Sequence, residues 1–160
     1  VFWGDLDVLL VDLPPGTGDV AISLGQLLPT AKTVVVTTPQ ISASEVAERS
    51  GAVGLQTGQA IFGVIENMSY LEQDGKKFEL FGAGGGELVA KSLIALSGVD
   101  VPLIGQVPIS VALREGSDTG APLCASETQD AAATEIQKIA SLIAKQGRLL
   151  AGRKLNLDPK

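Results

Sequence analysis

Histidine is absent from the 160 residues, and cysteine occurs once, as Cys124. Without histidine there is no Ser-His-Asp triad, no imidazole acid–base catalysis and no histidine metal ligand. One cysteine allows neither an internal disulfide nor a multi-cysteine metal cage within one chain. Such sparse cysteine fits a reduced, cytoplasmic setting. Long apolar runs are missing as well. Val34-Val35-Val36 and Leu93-Ile94-Ala95-Leu96 fall far short of a bilayer, so no membrane span is expected. The first residues show neither a basic lead nor a cleavage site, so no secretory signal is expected. Positive charge is scarce: 12 Lys and Arg against 18 Asp and Glu give a net charge of −6. That balance argues against nucleic-acid binding through a basic face. Any chemistry must therefore use carboxylates, backbone N–H groups, hydroxyls, lysines or arginines.

What is present is enough for one domain with a core, since 45% of residues are apolar and 19% charged. Apolar runs at Leu6–Leu13, Thr33–Thr38, Ile61–Glu66 and Leu103–Val107 read as strands. They are continuous rather than alternating, which is the habit of parallel strands buried on both faces. Helical patterns separate them at 19–28, 42–57 and 87–96. Ser42 and Glu45 have capping-box spacing, and Ala43, Val46, Ala47, Val53 and Gly54 form a small-residue face behind them. A last helix is expected from Ser126, with Gln129 completing a second box. Its stripe would be Ala132, Ile136, Ile139, Ala140 and Ile143. Asp74-Gly75 inside "LEQDGKKFEL" predicts a small hairpin near 69–81. The expectation is an α/β domain over residues 1–146, a mostly parallel sheet flanked by helices. Residues 147–160 read as a basic, solvated tail.

Ligands of open parallel sheets bind beyond the carboxyl ends of the strands. Those ends are polar and turn-rich here: Asp12-Leu13-Pro14-Pro15-Gly16, Thr38-Pro39-Gln40, Glu66-Asn67-Met68-Ser69 and Val107-Pro108. Prolines and glycines also end strands that bind nothing. Asp12 closes an apolar run, where an acid is poorly solvated and needs a partner. In P-loop NTPases such an acid orders a water on Mg²⁺. A turn acid bonding backbone N–H groups has the same sequence appearance. Gly16 and Gly18 would let backbone N–H groups approach a terminal phosphate.

"DVLLVDLPPGTGD", "VVVTTPQ", "GVIENMSY", "FGAGGGELVA" and "IGQVPI" together resemble the successive blocks of the Mrp family. These are deviant-Walker P-loop ATPases related to the cell-division and partition ATPases and associated with iron–sulfur cluster carriage. The resemblance spans about Trp3 to Pro122. It implies a P-loop NTPase-like fold and a cytoplasmic Mg-ATPase acting as a homodimer on iron–sulfur client proteins. By it, Asp12 matches the Walker B acid that acts on Mg²⁺ through water. Pro15, Gly16 and Gly18 match the segment that senses the γ-phosphate. Asn67 matches the amide facing adenine, and Pro108 lies in the loop flanking that ring. Read from the residues alone, Asn67 is a strand-end turn residue.

The chain departs from this family in two places. The Gly-rich, two-lysine Walker A loop belongs ahead of anything in these residues. Gly85-Gly86-Glu87-Leu88-Val89-Ala90-Lys91-Ser92 imitates a P-loop but has Ala90 for glycine, a short charged run before it and Glu87 opposing phosphate. Many members also carry a C-x-x-C after the "ENMSY" block to hold a cluster across a dimer. Leu71–Lys76 has no cysteine, and Cys124 reads as a small apolar residue. The expectations are an ATPase in the longer protein, no MgATP binding by this chain alone, and an unpaired sheet edge. The alternative is an ATP-independent scaffold that meets a partner through the sheet edge or the hairpin.

Overall fold

A computed structural model of the chain describes residues 2–14, 16–126 and 128–145. Runs rich in valine and isoleucine form the sheet: β1 (Lys32–Thr37), β2 (Ala60–Gln73), β3 (Lys76–Phe78) and β4 (Leu103–Ile109). β2 is central, with β1 and β4 parallel on either side. β3 folds back antiparallel along its far end, pairing Leu71 with Phe78 and Gln73 with Lys76. The turn between them has Asp74 at φ 52° and Gly75 at φ 70°, the double left-handed geometry of a type I′ hairpin. The helices are α1 (Asp19–Leu27), α2 (Ile41–Gln56), α3 (Gly85–Ser97), α4 (Val111–Thr119) and α5 (Ala131–Ala144). A 3₁₀ turn, Leu123–Ala125, precedes α5. The expected mostly parallel α/β sheet with an inserted hairpin is the arrangement found.

Alternation along β2 feeds two cores. Val64 joins Val35, Ala47, Val89 and Leu93 under α2 and α3. Ile65 packs on the opposite face with Val107, Ala132 and Ile139, under α5. α2 approaches closely because Ser44, Ala47, Gly51 and Gly54 line its buried face. A Cβ on Gly51 would stand 2.7 Å from Leu93 Cδ2. Val46, expected on that face, is instead exposed, as is Ala140 of the α5 stripe.

Several expectations are corrected. Leu6–Leu13 is no strand: the run has no ladder partner among the described residues, and Leu10 is 73% exposed. A strand apolar on both faces needs cover on both faces and a neighbour along its edge. Neither capping box forms. α2 begins one residue earlier, with Gln40 at its N-cap, which places Ser42 inside the first turn. α5 begins at Asp130, whose Oδ1 accepts from the N–H groups of Ala132 (2.8 Å) and Ala133 (3.2 Å). Asp130 outcompetes Ser126 because one carboxylate meets two orphan donors. Helix α4 was not anticipated. Ser110 caps it by accepting from Leu113 N–H at 3.0 Å, and its own hydroxyl donates to Asp130 Oδ2 at 2.7 Å. The expected tail lies outside the described residues.

The tightest backbone approach is between α3 and the end of β1. A Cβ on Gly85 would lie 2.5 Å from the Thr38 carbonyl oxygen and 2.8 Å from Pro39 Cα. Both are backbone atoms and cannot rotate away. Gly85→Ala should destabilise the chain by about 1–3 kcal/mol, seen as a lower urea midpoint at unchanged slope.

Candidate functional site

The carboxyl end of β1 lies level with the middle of β2 and the middle of β4. Thr37 of β1 pairs with Glu66 of β2, Glu66 with Gln106 of β4, and Asn67 with Val107. Beyond that row the β2–β4 ladder breaks and resumes at Leu71 and Ile109. Met68, Ser69 and Tyr70 therefore bulge opposite Pro108 alone. Pro108 has no N–H to offer a ladder, so the bulge and the proline coincide at one point. Pro108 is buried within β4, not in the loop expected for it. Met68 has φ 55°, left-handed for a non-glycine residue, and its N–H donates to Asn67 Oδ1 at 2.9 Å. Asn67 is half-buried.

The residue that sequence reasoning underused is Glu66. It is 1% exposed. Its Oε2 accepts from Gly86 N–H at 2.7 Å, in the first turn of α3. Its Oε1 accepts from the Gln106 side-chain amide at 2.9 Å. Its main-chain carbonyl accepts from the Ser69 hydroxyl at 2.8 Å. A carboxylate buried this completely needs such partners, and Glu66 has them, whereas Asp12 is exposed.

The other sequence-derived residues occupy the segment before α1. Asp12, Gly16 and Gly18 are exposed, and Pro15 lies outside the described residues. Gly16 has φ 96°, a conformation few other residues adopt. Gly18 is the N-cap of α1 and offers no capping side chain, so the first N–H groups of that helix face an uncapped end.

The P-loop imitation is resolved by geometry. Gly86 N–H, which a phosphate would need, is taken by Glu66. Lys91 pairs with Glu87 across one helical turn at 3.6 Å on the exposed side. A Cβ on Gly86 would stand 2.9 Å from Glu66 Cβ, so this glycine serves packing. Cys124 is half-buried, its Sγ 3.9 Å from the Ala133 carbonyl oxygen. Among the described residues no group of three or more acidic, cysteine or histidine side chains could hold a metal ion, and no helix is long and apolar enough to cross a membrane. A shallow cleft of about 300 Å³ lies between the hairpin tip, the end of β4 and the start of α5, with Pro108 and Asp130 in its wall.

The family model described as ParA, NUBPL iron-transfer P-loop NTPase, matches residues 1–144. An iron-sulfur cluster carrier protein from Mycobacterium bovis is 55% identical over 160 residues, covering 99% of this chain and 42% of that protein. The chain thus spans about two-fifths of the length of the curated relatives it matches. Among solved structures, a nucleotide-binding protein from Archaeoglobus fulgidus in complex with ADP is 36% identical. Its TM-score is 0.59, over 74% of this chain and 47% of that one. The septum site-determining protein MinD from Pyrococcus horikoshii, complexed with Mg-ADP, is 26% identical with a TM-score of 0.53, over 76% and 42%.

Lys91 is exposed and its pair with Glu87 spans one helical turn, so Lys91→Ala should change the stability of the chain by less than about 1 kcal/mol in urea unfolding.

Proposed function

The chain belongs to the ParA/NUBPL iron-transfer P-loop NTPase family, and on that premise we propose that it is the Walker B and base-binding part of an ATP-hydrolysing iron–sulfur cluster carrier. The observation that carries this is the paired row across the sheet that bears Asn67, with Pro108 at the bulge beside it, within a chain 55% identical throughout to a protein named as a cluster carrier. In this reading residues 1–146 are a partial NTPase domain, and the loop that grips the phosphates lies outside these 160 residues. Asn67 and Pro108 meet the adenine ring. Pro15, Gly16 and Gly18 meet the γ-phosphate, supported by the positive φ of Gly16 and by the uncapped N-terminus of α1. Asp12 holds Mg²⁺ through water. An exposed carboxylate with hard oxygens suits that role, although one acid alone would not make an inner-sphere cage. Mg²⁺, when bound with ATP, neutralises charge on the phosphate oxygens.

The cluster is cargo in this reading, and the chain's own thiol does not fit it well. One half-buried Cys124 per chain gives a homodimer two thiolates, half of an ordinary four-thiolate set. Any cluster is therefore held mainly by residues beyond this stretch or by the client protein. A homodimer in the cytoplasm, acting on iron–sulfur clients and neither nucleic acid nor membrane, completes the proposal. A second reading, ATP-independent partner binding through the hairpin, is favoured by the exposure of Phe78, Leu80 and Phe81 on and after β3.

Two measurements separate these readings. Asp12→Ala in the longer protein should lower ATP turnover at least about tenfold while thermal unfolding stays cooperative; unchanged turnover rejects the Walker B role. Residues 1–160 alone should show no binding heat with MgATP. Asp5, Asp7, Asp12 and Asp19 surround the segment, and no lysine or arginine occurs before Lys32 to offset the phosphate charge. Micromolar affinity would mean that these residues grip phosphate after all.

A further inference from the structure

Glu66 is a buried carboxylate that the proposed function does not employ. It is fixed from three sides: by Gly86 N–H of α3, by the Gln106 amide of β4 and, at its main-chain carbonyl, by the Ser69 hydroxyl. The Ser69 bond spans the start of the bulge in β2, and the two carboxylate bonds anchor the residue before Asn67 to the rest of the fold. Between these fixed ends lie Asn67 and Met68. Met68 stands in the left-handed region, against the preference of an unbranched non-glycine residue. Its N–H holds Asn67 Oδ1 at 2.9 Å. That bond orients the Asn67 amide and leaves Nδ2 as its donor end.

We infer that Glu66 is a positioning residue for base recognition: its carboxylate, clamped between Gly86 and Gln106, sets the start of the β2 bulge that presents the Asn67 amide to the purine ring. The inference rests on Asn67 being the base-facing residue, as proposed above. Two donors converge on the carboxylate, so alanine would leave both unmet. Glutamine could accept from Gly86 N–H and donate to Gln106 Oε1, provided the Gln106 amide turns over. Glu66→Gln is therefore a rescue that keeps the clamp and removes the charge.

The test uses the longer protein that carries the phosphate-gripping segment, with kcat and KM measured for ATP and for GTP. Glu66→Ala should raise KM for ATP about tenfold and lower the preference for ATP over GTP by the same factor, with kcat within about twofold. Glu66→Gln should recover most of that loss. In an Asn67→Ala background, Glu66→Ala should change the preference no further, because the effect passes through Asn67. An equal change for ATP and GTP, a fall in kcat alone, or a further loss in that background would overturn the inference. If Asn67→Ala leaves the ATP preference intact, the reading of Asn67 fails. If Asn67→Ala loses it and Glu66→Ala does not, only the role of Glu66 fails. Should Glu66→Ala not unfold cooperatively, Gln106→Leu removes one of the two donors that hold the carboxylate and carries the same test; an unchanged preference there would also overturn the inference.

Discussion

A buried carboxylate that cannot be left unpaired sets the geometry of the ligand edge. Removing a partner from such a group costs on the order of 1–3 kcal/mol, and more when it is charged. Glu66 draws its partners from α3 and β4, so satisfying it fixes how closely the helix approaches the sheet. The glycines at the start of α3 follow from that approach. A side chain at Gly85 would strike the backbone of Thr38 and Pro39, and one at Gly86 would strike Glu66 and Leu103. A motif that looks made for phosphate is explained by a carboxylate already in the place of the anion.

The same edge contains a concentrated defect. Three residues of β2 bulge opposite a proline that could not have paired with them. Strand ladders are interrupted where something other than sheet is needed, and bulges gather beside binding sites. Here the interruption places Asn67 at the last ladder position before the break, with Pro108 next to its partner Val107 on β4. The left-handed backbone of Met68 is the local cost, offset by the bonds of Asn67 and Ser69.

Much of this fold is legible in the sequence, for local reasons. Runs of valine, isoleucine and leucine mark β1 and β4, and Asp74-Gly75 marks the hairpin, because turn chemistry and β-branching act over a few residues. Helix starts were less legible. Ser42 and Ser126 have capping spacing, yet Gln40 and Asp130 hold the N-caps, and Asp130 is bound up with Ser110 from another element. Leu6–Leu13 has strand composition without strand pairing, a property of neighbours rather than of the run itself. At the site, Asn67 and Pro108 stand at the ligand edge by their place after apolar runs, and their base-binding role comes only from family resemblance. Glu66 was visible as an acid ending an apolar run, but its partners lie 20 and 40 residues away. No short pattern could have supplied Gly86 and Gln106 as its ligands.

β2 runs without a break in the chain from the core at Val64, through the bulge, to the hairpin turn at Asp74. Six residues, 68–73, separate Asn67 from that turn, at most about 23 Å of backbone were it fully extended. The hairpin and the base-side amide are thus joined by one strand whose regular pairing is interrupted by the bulge at residues 68–70. The least regular point on that path is the residue next to Asn67, where the backbone is already wound the wrong way.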